Sequence, residues 1–320
     1  TPSTKPLLLP SIQMMRPLCF AAFVLVALRC VTSFQMPSFH HLDRAERDLV
    51  FVHVPFDFGH TIESVALIDE ASPGRYLEYA TYIMEIGGFG DQITQPATWE
   101  QANDLKKPGG EVWGHANPDL QVKSNVTGCP MFYTPQKYWP KELAESYFGN
   151  NMTVFGTLRD PYERLVAIFR GQDPDYGGDY DEFYKSCDVN GAVKKMMQET
   201  LAGDVFRHGC VFAPQAEYFD GPHGITLPVD NRLFPQSMNT VFADHGYSDM
   251  RIRTEDLFHV GHCNEVWSGD LDCETRKMVR QFYARDFQLL CDHFGYCNDD
   301  ENTCIKGVPD MCPASVLAAP

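Results

Sequence analysis

The sequence predicts an α/β fold with a mainly parallel sheet flanked by helices. Two short apolar, β-branched runs, Leu49–Val54 and Thr153–Leu158, have the pattern of strands buried on both faces, and each leads through a loop into a helical apolar period. At 44% apolar and 22% charged residues, the 320-residue chain is neither a disordered polyelectrolyte nor a polytopic membrane protein, and it suits one elaborated domain. Its 22 Pro and 24 Gly imply many loops. Forty-three Asp and Glu against 26 Lys and Arg leave a net charge of −17, which argues against wrapping a nucleic-acid backbone or lying on an anionic bilayer.

Residues 1–33 read as a leader. Leu18–Leu28 is an apolar run between Arg16 and Arg29, too short to span a bilayer by itself, and Val31-Thr32-Ser33 offers a cleavage site before Phe34. A cleaved signal peptide and a single short N-terminal signal anchor both remain open, and Met14 or Met15 reads as the natural start. Two sequons, at Asn125 and Asn151, agree with secretory passage as glycosylation sites. Of 11 cysteines, Cys19 and Cys30 fall in the leader and nine follow, so in an oxidising lumen most pair and at least one does not. The absence of any C-x-x-C pair argues against a zinc ribbon, and no metal is expected; His259, His262 and Cys263 invite a metal reading, but with no partner pair at ligand spacing a loop closed by Cys263 and Cys273 is expected.

Along residues 34–296, Leu49–Val54 is the first strand, Pro55–His60 a turn, and Thr61 the expected cap of a helix through Ile62, Val65, Ala66 and Leu67. Residues 72–124 are rich in Gly, Pro and polar residues, with helices expected at Tyr76–Met84 and Thr98–Leu105. Lys141–Phe148 reads as a helix and Thr153–Leu158 as the second strand; Pro161 then opens a helix buried through Leu165, Val166, Ile168 and Phe169. Gly171–Tyr180 is a loop, and Ala192–Leu201 a helix with Met196 and Met197 in the core. Met250–Arg253 is expected as a late strand, and Cys273–Phe294 as one long helix stopped by Gly295. Residues 297–320 read as a disulfide-stapled tail.

A buried strand that delivers its loop onto a helix N-terminus makes an anion site, because free N–H groups and the positive helix end converge there. Pro55–Thr61 has that pattern, with Gly59, His60 and Thr61 as donors. Arg159, with Arg164 and Arg170 on the next helix, offers guanidinium groups that grip phosphate bidentately, although Arg159–Asp160 and Glu163–Arg164 alone read as surface salt bridges.

Taken together in order, Phe51-Val-His-Val-Pro55, Arg159-Asp-Pro-Tyr-Glu-Arg164, Pro214-Gln-Ala-Glu-Tyr218, Arg253-Thr-Glu-Asp-Leu257 and Tyr283–Phe287 resemble the secretory-pathway carbohydrate sulfotransferases that use 3′-phosphoadenosine 5′-phosphosulfate (PAPS). The resemblance spans residues 49–296 and implies a P-loop-like sheet. It also implies PAPS as co-substrate, a glycan acceptor, and a Golgi-lumen or secreted location. Pro55, Gly59, His60 and Thr61 would then meet the 5′-phosphosulfate and Arg159 the 3′-phosphate, while Arg164 organises the fold beside it. Val112-Trp-Gly-His115 is similar to the element holding the catalytic base in the uronyl and heparan 2-O type, which makes His115 the first choice and Glu63 its rival. The chain departs from the family in two places: Phe56 stands where a lysine is usual, and Ala167 where a serine is. The alternative is therefore a catalytically silent relative that binds or scaffolds glycans.

Overall fold

The computed structural model describes residues 48–67, 111–149, 151–171, 180–203, 205–257 and 263–318. The leader, the helices expected at 76–84 and 98–105, nearly all of the 171–180 loop, His259 and His262 lie outside these residues.

Three parallel strands form the sheet in the order β1 (Leu49–Phe51), β2 (Thr153–Leu158), β3 (Leu227–Asp230). Phe51 pairs with Phe155 and Phe155 with Leu227, and the Val52 amide continues the ladder to the Phe155 carbonyl at 2.8 Å. Alternation sorts the side chains by face: Leu49, Phe51 and Phe155 enter one cluster, while Val50, Val52, Val54 and Val154 enter another. Both faces are covered, as parallel sheets require. The first cluster is closed by α1 (Gly59–Leu67), α6 (Gln236–Asp244) and the C-terminal tail. The second is closed by α2 (Lys141–Phe148) and the turn at Met131–Tyr133.

A third cluster gathers α3 (Pro161–Arg170), α5 (Val189–Leu201), α7 (Cys273–Phe282) and α8 (Ala284–Phe294), with α4 (Asp181–Ser186) at its margin. Met196 and Met197 are fully buried there, as expected. Asp160 caps α3 by accepting the Tyr162 and Glu163 amides, and Pro161 occupies the first turn, where a missing N–H does no harm.

Several sequence expectations are corrected. Met250–Arg253 is not a strand: Asn239 on α6 accepts the Ile252 amide at 2.8 Å and donates to its carbonyl at 2.9 Å, which satisfies that backbone without a ladder. The third strand is instead Leu227–Asp230, whose Pro228 is tolerated because among the described residues β3 pairs on one side only. The Cys273–Phe294 helix is two helices broken at Tyr283, whose backbone leaves the helical region and whose hydroxyl bonds the Phe212 carbonyl at 2.9 Å. Gly295 stops α8 in the left-handed conformation, as expected. Thr61 is no cap: Phe56 and Phe58 have positive φ, and the Phe58 carbonyl accepts the Ile62 amide, so α1 begins at Gly59.

Among the described residues four disulfides join Cys129–Cys210, Cys187–Cys263, Cys291–Cys297 and Cys304–Cys312. Cys263 therefore pairs with Cys187, not with Cys273, which opens α7 as an exposed free thiol. Such pairing belongs to an extracellular or secretory-pathway protein. Asn125 and Asn151 are both exposed. Among the described residues no helix is long and apolar enough to cross a membrane. The tail ends in a short helix, α9 (Ala314–Leu317).

Candidate functional site

The exits of β1 and β2 meet. After β1 the chain turns through Pro55–Phe58, and after β2 it delivers Arg159 and then α3. Arg159 Nη1 donates to the Phe56 carbonyl at 2.6 Å, and Thr157 Oγ1 donates to the Asp57 carbonyl at 2.7 Å. Arg164, one α3 turn further, donates from Nε to Pro55 O at 3.0 Å, from Nη1 to Ala213 O at 2.9 Å and from Nη2 to Val211 O at 2.8 Å. Each nitrogen of Arg164 thus donates to backbone, so the side chain ties the turn after β1 to the segment before Gln215 and organises the fold. Arg159 is engaged as well. Its Nε pairs with Glu163 and its Nη2 faces Met311 Sδ at 3.8 Å. Arg159 pairs with Glu163 in the interior, in place of the surface salt bridges Arg159–Asp160 and Glu163–Arg164 that the sequence suggests.

Gln215 fixes the direction of Arg159. Its side chain accepts the Arg159 amide at 2.9 Å and donates to the Arg159 carbonyl at 2.7 Å. Asp286 on α8 accepts the amides of Gln215 and Ala216, each at 2.9 Å. Burial raises this acid to about 6 against the pull of those amides and of Arg164.

Asp57 is fully buried beside the two arginines, and neither carboxylate oxygen has a hydrogen-bond partner. Burial pushes its carboxyl up to about 8 despite the opposing charges of Arg164 and Arg159. The group is therefore protonated at neutral pH.

A second constellation lies at the start of α1. Glu63 Oε1 accepts from His53 Nδ1 at 2.6 Å and from the His115 amide at 2.7 Å, while Oε2 lies 3.3 Å from His60 Nδ1. Tyr133 closes the chain, its hydroxyl 3.2 Å from His60 Nε2. Burial alone would raise Glu63, but the charge and hydrogen bond of His53 outweigh it and hold the carboxyl well below its usual range. His115 packs edge-on to His60 and Phe132, with Nδ1 buried and unpartnered. Burial, with the His60 charge adding to it, lowers His115 to about 3, so its imidazole is neutral. The cluster reaches solvent through His60, whose side chain is 25% exposed against 1% for Glu63.

Two glycines permit this approach. A Cβ on Gly59 would lie 2.2 Å from His53 Nε2, and one on Gly114, where φ is +48°, 1.8 Å from Glu63 Oε1. Tyr147 on α2 holds the His115 turn against β1: its hydroxyl accepts the Gly114 amide and donates to the Phe51 carbonyl. His53, His60 and Glu63 also bring one ligand atom each within 4.8 Å of one another, a donor set suited to a divalent cation. The 2.6 Å His53–Glu63 separation is that of a hydrogen bond.

The structure thus brings His60, Glu63 and His115 together, sets Pro55 and Arg159 around one turn, and places Gly59 and buried Thr61 at the head of α1. Sequence reasoning missed His53, Tyr133, Glu163 and Gln215 as parts of the site. For His53 a signal existed: it lies two residues after Phe51 and so on the same strand face. No protein-family model, curated protein or solved structure matches the chain.

Proposed function

We propose that the chain is a PAPS-dependent sulfotransferase that transfers a sulfuryl group to a glycan hydroxyl in the Golgi lumen or after secretion. The observation that supports this reading above all is the meeting of the two strand exits, where Arg159 bonds the Phe56 carbonyl, beside the joined pair of Glu63 and His115. In this P-loop-like reading the head of α1, at Gly59–Thr61, faces the 5′-phosphosulfate. The acceptor oxygen attacks sulfur in line as the bond from sulfur to the phosphate oxygen breaks, and the adenosine 3′,5′-bisphosphate leaves with the electron pair. The acceptor proton passes to the His115 imidazole, which is neutral. Glu63 is engaged by His53 and the His115 amide; it positions His115 and stabilises the imidazolium that forms.

A second reading, a silent relative that binds or scaffolds glycans, is favoured by a specific observation. Phe56 replaces the family's cation, and Arg159 Nε, Nη1 and Nη2 all rest on protein acceptors. Calorimetric titration of the full chain with adenosine 3′,5′-bisphosphate separates the two. Binding, with His115→Ala abolishing sulfuryl transfer while leaving affinity intact, is the enzyme's result. An absence of binding in every variant would leave the silent relative.

A further inference from the structure

The C-terminal tail covers the arginines. Cys304–Cys312 closes a loop from which Ile305, Val308 and Met311 enter the same cluster as Phe58 and Phe234, whose rings stack 4.3 Å apart. The loop lies tight against that wall: a Cβ on Gly307 would fall 2.5 Å from the Phe234 carbonyl oxygen. Its base is tied by Ser268, which donates to the Thr303 carbonyl at 2.6 Å and accepts the Thr303 amide at 2.8 Å. Met311 Sδ then stands 3.1 Å from Arg170 Nη1 and 3.8 Å from Arg159 Nη2.

This is a poor match of charge. Arg159 and Arg170 are 3% and 2% exposed, and each lies close enough to Met311 to share its sulfur. Glu163 bonds Arg159 only. Among the described residues Arg170 has no carboxylate within bonding distance, although the charges of Glu163 and Asp270 act on it: Nη2 donates to the Val266 and Asn264 carbonyls, and Nε is buried without a partner. A thioether is a weak acceptor, whereas an isolated buried cation costs several kcal/mol. Two buried guanidinium groups with one carboxylate and a neutral sulfur between them have the electrostatics of an oxyanion site, since a phosphate group presents several acceptors to planar forks.

We infer that Arg159 and Arg170 form a two-guanidinium site for a phosphate group, and that the Cys304–Cys312 loop covers it with Met311 and must withdraw before the anion binds. The inference rests on the donor reading above for the identity of the nucleotide, but not for the anion chemistry. Arg170 becomes a binding residue in its own right, and the tail an internal competitor. Loosening the tail raises apparent affinity because the closed population no longer subtracts from the competent one.

The test titrates the full chain with adenosine 3′,5′-bisphosphate and separately with inorganic phosphate. The proteins are wild type, Met311→Ala, Cys304→Ser/Cys312→Ser, and the last with Arg170→Gln added. Unlatching the loop should tighten both probes about tenfold or more, and Arg170→Gln should reverse the gain. Met311→Ala keeps the staple and gives the same direction of change should the serine variant fold poorly. Equal affinity in wild type and both unlatched proteins overturns the covering loop while leaving the donor reading standing. Affinity indifferent to Arg170→Gln overturns that residue's role. Phosphate binding without nucleotide binding keeps the two-arginine site and removes the PAPS reading; no binding of either probe removes both.

Discussion

Asp57→Asn isolates the least comfortable group in the fold. Asp57 sits in the turn after β1 with no hydrogen-bond partner on either oxygen, and its carboxyl titrates near 8 in place of 3.8. Because the folded value is raised, its contribution to stability is fully present below 3.8 and is lost as pH rises through about 8. Between those limits the unfolded chain has released a proton that the folded chain keeps, at about 1.4 kcal/mol per pH unit. At neutral pH the penalty approaches about 4 kcal/mol. Asparagine has the same shape and no proton to lose. The two proteins should therefore be close in acid, and the variant should gain steadily, by about 2 kcal/mol between about pH 6 and about pH 7.5. Urea unfolding at a series of pH values, without reductant so that the disulfides persist, measures the difference directly. A gap that does not change with pH would refute the reasoning and mean that Asp57 ionises normally.

Three further outcomes are expected. Glu63→Ala strands His53 Nδ1 and the His115 amide in a buried setting and should lower stability by about 3 kcal/mol, with Glu63→Gln losing less; a loss below about 1 kcal/mol would dismiss the network. Glu63's folded carboxyl is held below its ordinary 4.5, so its stabilisation stands above that value and drains away as pH falls, and Glu63→Gln should blunt the acid limb of unfolding. Cys273→Ser should remove one equivalent of thiol reactive toward a disulfide reagent in the native protein, and unchanged reactivity would contradict the pairing of the other eight.

What was legible in the sequence was local. The β-branched runs at Leu49 and Thr153, the helix at Lys141–Phe148, Pro161 opening α3 and Gly295 ending α8 are all announced by residues within one turn of the feature. β3 was hidden by Pro228, which argues against a strand unless the strand is known to lie at an edge. The break at Tyr283 carries no Gly or Pro; a hydroxyl reaching Phe212, 71 residues earlier, makes it. His60, Glu63 and His115 could each be picked out, but their union with His53 and Tyr133 depends on contacts spanning up to 73 residues. Met311 offered no signal at all, because a methionine in a tail reads as packing until its neighbours are known.

The Gln215–Asp286 contact sets an order of events for a nascent chain. Arg159 emerges from the ribosome long before the helix whose acid fixes its partner, since Asp286 follows Gln215 by 71 residues. During synthesis the arginine corner therefore stays unlocked until α8 has been made and docked, and only then can the still later staple at Cys304–Cys312 close over it. A stalled or truncated polypeptide ending before Asp286 would carry both strand exits and the Arg159–Glu163 pair, yet would lack the acid that holds the Gln215 turn against Arg159.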